Sequence, residues 1–192
     1  KSVVGLDEAG RGSLAGPVVA GAVTILDTKY KILDTKVRDS KKLTAKQREI
    51  LYETITRDRN IRWGVGIVSE KVIDRINILE ATKFAMAKAV KNLQKQLVPK
   101  SHDRGKMVST GKQDIYLLLD GNFKINLPLP QKSIVKGDQK VFSCAAASIL
   151  AKVTRDRMMK KYHQKYPRYL FGIHKGYGTK LHLKFLRKYG AC

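Results

Sequence analysis

Two short apolar segments that each end in an aspartate constrain the fold of this chain more than any other feature of its sequence. Residues 2–7 read SVVGLD and residues 115–120 read IYLLLD. Short apolar runs of this kind, bounded by turn residues, are typical of strands buried in a sheet. If the two strands are neighbours in one core, their terminal acids meet at one edge of the sheet.

Two further segments are predicted to be strands. Residues 17–26 (PVVAGAVTIL) begin with a proline, which is tolerated at the start of a strand, and residues 61–68 read IRWGVGIV. A glycine-rich stretch separates residues 17–26 from the first strand, and this spacing suggests neighbouring antiparallel strands joined by a wide loop. The apolar pattern therefore predicts four strands.

Helical periodicity predicts four helices between and after these strands. They are a helix that begins after an N-cap at Thr44, an amphipathic helix over residues 78–97, a long helix over 140–162 and a last helix over 179–188. Residues 99–114 are polar and break every period, which favours an exposed loop. This order of elements indicates one α/β domain over residues 1–192, with a mixed sheet and a small helical C-terminal part over about 163–192.

The cysteines and the apolar segments indicate in which cellular compartment we expect the protein. Cys144 and Cys192 do not form a CxxC pair and cannot build a disulfide framework, so a reduced intracellular compartment fits best. No run of about 18 apolar residues and no signal peptide is visible. We therefore expect a cytoplasmic monomer without a membrane partner.

Net charge indicates the class of partner. The chain has 39 lysines and arginines against 16 acidic residues, which gives a formal net charge of +23. Such a field attracts polyanions, of which nucleic acid is the commonest. A membrane surface is the competing partner, but no strongly amphipathic helix rich in aromatic residues supports it. On charge alone, a non-enzymatic basic RNA-binding protein stays open as an alternative.

Four acids stand apart from the carboxylates on predicted helix surfaces and loops. Asp7 and Glu8 end the first strand, Asp120 ends the fourth, and Asp138 lies in VKGDQK directly before the long helix. Acids gathered closely repel one another unless a cation neutralises them, and oxygen ligands without His or Cys select Mg²⁺ or Mn²⁺. Two such ions about 4 Å apart activate a water and stabilise the leaving oxygen in phosphodiester cleavage. The plainer alternative is a turn at Asp7 and Glu8 and a helix cap at Asp138.

Two glycine-rich turns are candidates for contacts with nucleic acid. Gly10, Arg11 and Gly12 follow the acids, and glycines there let the backbone take positive φ and approach a ligand closely. Exposed backbone groups can contact a ribose 2′-hydroxyl, which distinguishes RNA from DNA. Tyr177, flanked by glycines, either presents an exposed ring that stacks on a sugar or base, or packs within its own turn.

The long helix carries a polar stripe. Ser148, Lys152 and Arg155 share one face, which either grips phosphates or is simply solvated. Asp156 is interpreted as the ion-pair partner of a basic neighbour rather than as a metal ligand. Three histidines lack metal-ligand spacing and are interpreted as structural; they are His163, His174 and His182.

Six segments, in order along nearly the whole chain, resemble bacterial type 2 ribonuclease H, or ribonuclease HII. They are GLDEAGRGSLAGPVVAGAV, DSKKL, LLLDG, KGDQK, AAASILAKVTRDR and HKGYGT. Each segment is weak alone, and together they form a specific signature. The GRG step resembles ribonuclease HII rather than its sister ribonuclease HIII, in which the middle residue differs.

This resemblance implies the ribonuclease H fold, with a mixed five-stranded sheet flanked by helices and a small C-terminal helical appendage. It implies an endonuclease that cuts the RNA strand of RNA–DNA hybrids. It also implies incision at a single ribonucleotide embedded in duplex DNA, which leaves 5′-phosphate and 3′-hydroxyl ends and serves DNA repair. Another nuclease of the same fold, such as a resolvase or an integrase, is the enzymatic alternative, and it would not depend on the 2′-hydroxyl.

The resemblance also assigns roles to individual residues. The family's metal-binding carboxylates, which hold two Mg²⁺ or Mn²⁺ ions, correspond to Asp7, Glu8, Asp120 and Asp138. The backbone that senses the 2′-hydroxyl corresponds to Gly10, Arg11 and Gly12, and the tyrosine that packs on the ribose corresponds to Tyr177. Candidate phosphate contacts are Lys41, Ser148 and Lys152.

Two features depart from the family pattern. The polar segment 99–114 is longer than expected before the LLLDG strand, and this concerns the substrate path rather than the chemistry. The chain also ends at Cys192, where family members often continue with a further segment. A sliding-clamp-type partner is compatible with the family, and no segment of the sequence identifies one.

Overall fold

A mixed five-stranded sheet forms the centre of the computed structural model, which describes residues 2–27, 43–97 and 114–192. In chain order the strands are β1 (Ser2–Ala9), β2 (Val18–Ile25), β3 (Ile61–Val68), β4 (Ile115–Asp120) and β5 (Gln131–Ile134). Across the sheet they are ordered β3-β2-β1-β4-β5. β1 pairs antiparallel with β2 and parallel with β4, so the two apolar segments that end in acids are neighbours.

Strand β5 is the element that the sequence patterns missed. Its residues, QKSI, include one apolar side chain and show no alternation that would mark a strand. The segment is held instead by parallel pairing with β4 and by Gln131. The Gln131 side chain accepts a hydrogen bond from the Ile125 N–H at 2.9 Å and donates one to the Ile125 carbonyl at 3.0 Å. A short strand specified by its neighbours leaves no periodic signal of its own.

Helices flank the sheet, and two of them begin at the predicted caps. The helices are α1 (Ala45–Arg57), α2 (Glu70–Leu97), α3 (Gly137–Lys140), α4 (Phe142–Lys165), α5 (Phe171–His174) and α6 (Lys180–Tyr189), with a 3₁₀ turn at Pro167–Tyr169. Thr44 caps α1 by accepting a hydrogen bond from the Gln47 N–H, and Thr179 caps α6 in the same way. Asp138 lies within the short helix α3, four residues before Phe142, the first residue of the long helix that it was expected to precede directly.

Helix α2 begins earlier than predicted and is kinked. Asn77 has a φ of 64° inside it, and its side-chain oxygen accepts hydrogen bonds from the N–H groups of Leu79 at 2.9 Å and Glu80 at 3.1 Å. Asn77 thus caps the segment that was predicted to begin at residue 78, and the residues before it form an additional helical piece. The predicted loop over 99–114 lies, except for its last residue, outside the described residues.

Small residues allow helices to pack closely on both faces of the sheet. On one face, a Cβ atom at Gly66 of β3 would lie 1.9 Å from the Ala85 carbonyl oxygen of α2. On the other face, a Cβ atom at Gly21 of β2 would lie 2.3 Å from the Ala147 carbonyl oxygen of α4. Because distances this short exclude any side chain, α4 lies directly on β1 and β2, on the face that carries Asp7.

Strand β3 lies at one edge of the sheet. Side chains of α2 form hydrogen bonds with backbone groups of β3 along this edge. Three residues of α2, spaced four apart, bond to three residues of β3 that are spaced two apart. The pairs are Gln96 Oε1 with the Trp63 N–H (3.2 Å), Asn92 Nδ2 with the Val65 carbonyl (2.9 Å) and Lys88 Nζ with the Ile67 carbonyl (3.3 Å).

Arg155 departs from the polar stripe that was predicted on the long helix. Its side chain is fully buried, and its guanidinium donates to the backbone carbonyls of Pro17 at 2.9 Å, Ala15 at 3.0 Å and Lys175 at 2.8 Å. Arg155 therefore does not grip phosphates. It ties the loop after β1 to the turn before α6, and the prediction was wrong here because helical spacing does not distinguish a buried arginine from an exposed one.

The C-terminal helices pack on α4 through a small core around Met159, Tyr169 and Phe171. This core places the turn between α5 and α6 beside the loop that follows β1, where the Gly176 carbonyl accepts a hydrogen bond from the Leu14 N–H at 2.9 Å. Within residues 2–27, 43–97 and 114–192, no helix is both long and apolar enough to cross a bilayer.

We expect the Arg155→Met substitution to lower the free energy of unfolding by about 3 kcal/mol or more, because it removes the donor from the buried Pro17 carbonyl and from the partly buried carbonyls of Ala15 and Lys175. Urea unfolding followed by circular dichroism measures this. Arg57→Met is the matched control, since Arg57 is 81% exposed in a surface pair with Glu53 and its loss should cost under about 1 kcal/mol. Equal losses for the two variants would contradict the assignment.

Candidate metal and nucleic-acid site

The parallel pairing of β1 with β4 sets two acids side by side. Leu6 pairs with Leu119, so Asp7 and Asp120 are the next residues on the two strands. The Asp120 carboxylate accepts hydrogen bonds from the backbone N–H groups of Gly137 at 3.0 Å and Asp138 at 3.3 Å. Through these bonds Asp120 holds the start of α3, which brings the third acid to the same place.

One carboxylate oxygen from each of Asp7, Asp120 and Asp138 lies within 4.8 Å of the others. Asp7 and Asp138 are buried, and Asp120 is half-buried. Glu8 is not part of this group. It lies beside it, with Oε1 3.7 Å from the Arg11 guanidinium and with Oε2 buried and without a hydrogen-bond partner among the described residues.

Burial and repulsion from neighbouring acids act on the carboxyls of Asp7, Glu8 and Asp120. Burial raises the pKa of Asp7 well above its ordinary value, and the charges of Glu8 and Asp120 raise it further. Burial raises the pKa of Glu8 to about 7, against the opposing effect of the Arg11 cation. Burial also raises the pKa of Asp120, although the N–H groups of α3 lower it. The acids are therefore costly to ionise together, and a nearby cation would relieve that cost.

This donor set fits a hard divalent cation. Within the described residues the grouped ligand atoms are carboxylate oxygens, and neither histidine nor cysteine belongs to the group. Oxygen ligands of this kind suit Mg²⁺ or Mn²⁺ rather than Zn²⁺. Asp7, Asp120 and Asp138 could hold such an ion, and Glu8 is placed to contribute from the side of the adjoining groove.

A groove of about 390 Å³ adjoins the acids and brings together most of the residues that the sequence singled out. Its walls come from the end of β1 and the following turn, from α4, from α1 and from the turn before α6. The lining residues are Glu8, Ala9, Gly10, Arg11, Gly12, Arg48, Ser148, Ile149, Lys152 and Tyr177. Arg48 was missed, because nothing in its local pattern separates it from the other basic residues of the chain.

The two glycines of the GRG step differ in their surroundings. Gly10 has a φ of 104°, and a Cβ atom on it would lie 2.4 Å from the Arg155 side chain. Gly12 does not have positive φ, and a Cβ atom on it would meet nothing within 4 Å. The expected positive φ therefore holds for Gly10 alone, and Gly12 faces open space at the groove.

Tyr177 is half-buried and fixed at its backbone. It forms a β-bridge with Ser13, which joins its turn to the loop after β1. The Lys152 ammonium and the Arg155 guanidinium each lie 5.4 Å from the centre of the ring. The Tyr177 ring therefore lies close to two cations of α4, and Tyr177 also lines the groove.

The remaining predicted residues lie in different surroundings. Ser148 forms a hydrogen bond to Asp7 that lowers the pKa of that acid, against the larger effects of burial and charge. Lys152 pairs with Asp156 at 2.8 Å, which confirms the interpretation of Asp156 as an ion-pair partner. Lys41 lies outside the described residues, so its role stays a prediction from sequence.

Comparison with known proteins agrees with this geometry. The sequence model of the ribonuclease HII family matches residues 4–192. Ribonuclease HII of Chlamydia trachomatis serovar A is 48% identical over 192 residues, which cover 99% of this chain and 78% of that protein. The structure of ribonuclease H2 from Pyrococcus horikoshii has a TM-score of 0.70 at 30% identity and covers 100% of this chain and 90% of that one. A chain of the PCNA:RNase HII complex from Archaeoglobus fulgidus has a TM-score of 0.72 at 26% identity, with coverages of 98% and 88%. The chain therefore belongs to the ribonuclease HII family and is an endoribonuclease of the ribonuclease H type.

Proposed function

We propose that this endoribonuclease is metal-dependent, hydrolyses the RNA strand of RNA–DNA hybrids, and incises 5′ of single ribonucleotides embedded in duplex DNA. The products carry 5′-phosphate and 3′-hydroxyl ends, and the role is removal of ribonucleotides from DNA. The observation that carries the proposal is the convergence of Asp7, Asp120 and Asp138 beside a groove that contains the GRG turn and Tyr177.

We assign metal binding to Asp7, Glu8, Asp120 and Asp138. Mg²⁺ or Mn²⁺ ions, when bound there, supply the Lewis-acid chemistry of phosphodiester hydrolysis. The chain's own contribution is to hold the acids in place: β1 and β4 fix Asp7 and Asp120, and the hydrogen bonds from α3 to Asp120 orient Asp138. Ser148 bonds to Asp7 from the side of the groove.

We assign recognition of the ribose to Gly10, Arg11, Gly12 and Tyr177, which share the groove wall next to Glu8. Backbone groups of the GRG turn can bond to a 2′-hydroxyl, and a tyrosine ring can pack on a sugar. This arrangement favours the ribonuclease over a resolvase or an integrase, because those enzymes have no use for a 2′-hydroxyl contact.

Phosphate contacts are assigned to the basic residues of the groove. Lys152 and Arg48 line it, and the net charge of +23 supplies a long-range attraction to nucleic acid. We retain Lys41 and Ser148 as candidates and propose residues 163–192 as a substrate-contacting part of a single domain. A sliding-clamp-type protein is included among the proposed partners because the Archaeoglobus fulgidus relative is part of a complex with PCNA. A non-enzymatic RNA-binding protein would gain nothing from buried acids placed together.

We expect Asp7→Asn to reduce cleavage of a duplex with one embedded ribonucleotide by about a thousandfold or more, roughly 4 kcal/mol of activation free energy. The measurement is the initial rate of cleavage of this duplex in Mg²⁺, in Mn²⁺ and in EDTA, with an all-DNA duplex as the control substrate. The variant should melt no lower than the wild type in EDTA, because burial penalises an ionised Asp7 in the metal-free fold. Asp74→Asn, on the exposed side of α2, is the control and should cleave like the wild type. Full cleavage by Asp7→Asn would sink the proposal.

Tyr177→Ala should lower kcat/KM for the single-ribonucleotide duplex by about 10- to 100-fold, the usual worth of one aromatic stacking contact. Binding to an all-DNA duplex, measured by fluorescence anisotropy, should change by less than about threefold, because the phosphate contacts stay. Tyr177→Phe keeps the ring and should behave like the wild type. Equal losses of cleavage and of all-DNA binding in Tyr177→Ala would count against ribose recognition.

The Gly12→Ala substitution tests whether Gly12 is required for the fold or for close approach of a ligand. Since the added methyl group meets no protein atom within 4 Å, the melting temperature should stay within about 2 °C of the wild type. Cleavage at a single ribonucleotide should fall by at least about tenfold if Gly12 approaches the ribose, because Gly12 lines the groove and an added methyl group would stand between its backbone and the sugar. Unchanged cleavage would remove Gly12 from the recognition surface.

A further inference from the structure

Two buried histidines lie beneath the turn that carries Tyr177. His174 is 6% exposed and His182 is 0% exposed, and their rings stack with centroids 4.3 Å apart and planes 16° apart. Phe171 packs edge-on against both rings, with its centroid 5.7 Å from each. Two imidazoles stacked this closely in an apolar setting are stable when both are neutral, because two cations at that distance would repel.

The partners of His174 define its protonation state. The Gly176 N–H can only donate, so Nδ1 of His174 accepts that hydrogen bond at 3.2 Å. Nε2 then carries the proton and donates to the Tyr169 carbonyl at 2.7 Å. A second proton, on Nδ1, would face the Gly176 N–H directly and break the bond to the residue before Tyr177.

His182 holds the same turn from the other side. Its Nδ1 donates to the Tyr177 carbonyl at 3.0 Å, so its Nε2 is the unprotonated nitrogen. Nε2 is buried and has no hydrogen-bond partner within the described part of the chain. A proton there would create a buried N–H and a positive charge without an acceptor, which is unfavourable.

We propose that His174 and His182 are positioning residues that, as a neutral stacked pair, fix the Tyr177 turn, and that protonation of His174 releases the turn and weakens recognition of a ribonucleotide in acid. This inference rests on the proposed function only for the role of Tyr177 in recognition. The bonds to Gly176 and to the Tyr177 carbonyl are independent of it.

The groups that surround the pair favour its neutral form. The titratable and charged groups that face it are His163 from α4, Tyr169 from the 3₁₀ turn, Lys175 beside it, and Arg155, which bonds to the Lys175 carbonyl. None of these is an acid that could stabilise an imidazolium. Burial lowers the pKa of His174, and the neighbouring His182 and Lys175 add to that effect.

The direction of the pH effect follows from this shift. The unfolded chain takes up a proton at His174 near the ordinary histidine value of about 6.5, and the folded chain does so only at lower pH. The contribution of neutral His174 to stability is therefore present above about pH 6.5 and is lost as the pH falls below it. At neutral pH the turn is held.

The test has one readout on the turn and one on recognition. The ¹⁵N–¹H resonance of Gly176 reports the bond to His174 without any nucleic acid, and it is followed from pH 8 to pH 5. The ratio of affinities for a single-ribonucleotide duplex and an all-DNA duplex, measured by anisotropy in EDTA, reports recognition. In the wild type, the Gly176 resonance and the affinity ratio should change together as the pH is lowered.

His182→Asn is the informative variant, because its amide can still donate to the Tyr177 carbonyl but cannot take up a proton. It should keep the wild-type Gly176 resonance at pH 7.5 and move the acid midpoint of that resonance up, because the neighbouring His182 ring lowers the pKa of His174 and the amide that replaces it carries no charge. In His182→Ala at pH 7.5, the ratio of the affinity for the single-ribonucleotide duplex to the affinity for the all-DNA duplex should fall by about tenfold, with the all-DNA affinity unchanged.

His163→Gln is the matched control, because His163 contacts Gly172 and not the Tyr177 turn. It should raise the midpoint less than His182→Asn does, since the effect of His163 on the pKa of His174 is the smaller of the two. A Gly176 resonance that ignores the titration, or an unshifted midpoint in His182→Asn, would overturn the inference. A Gly176 resonance that titrates as expected in a wild type without any ribonucleotide preference would leave the positioning of the turn intact and overturn the role of Tyr177 instead.

Discussion

The parallel pairing of β1 with β4 is the constraint on which the rest of the site depends. It places Asp7 and Asp120 at neighbouring positions on adjacent strands, although two like charges in a buried setting repel. Close packing opposes this repulsion: α4 lies against β1 at Gly5, where a Cβ atom would come within 2.3 Å of its backbone, and it reaches β4 where the Cys144 thiol bonds to the Leu118 carbonyl at 3.5 Å. The N–H groups at the start of α3 then stabilise Asp120 and bring Asp138 to the same point. A charge arrangement that is unfavourable alone is thus maintained by backbone geometry.

The proposed recognition surface and the acid cluster are built from parts of the chain that are far apart in sequence. The acids and the GRG turn come from β1 and its loop, whereas Tyr177 lies near the C-terminus. Arg155 joins them by bonding to carbonyls on both sides. The part of the groove that Tyr177 lines therefore depends on the docking of the C-terminal helices on α4, and a change that loosens this docking would act on the proposed recognition surface.

The sequence predicted the elements whose signals are local. The strands that end in Asp7 and Asp120, and the caps at Thr44 and Thr179, all leave a pattern in their own residues. Elements defined by tertiary contacts were not predicted: β5 is held by its neighbour and by Gln131, and Arg155 is buried although its spacing resembled an exposed stripe. Arg48 reaches the groove through the placement of α1, which no local pattern encodes. The grouping of the acids depended on strand order, and the resemblance to a family supplied what periodicity could not.

The side chains that cover the outer edge of β3 bear on how this protein meets other molecules. An uncovered edge strand offers a template on which a strand of another chain can add. Here the side chains of Lys88, Asn92 and Gln96 bond to backbone groups that such a strand would need. A strand from another chain would first have to displace these three hydrogen bonds. A chain this basic collects on polyanions at high local concentration, where copies collide often. Blocking one route to sheet extension lets those copies crowd along a nucleic acid without that edge seeding an aggregate.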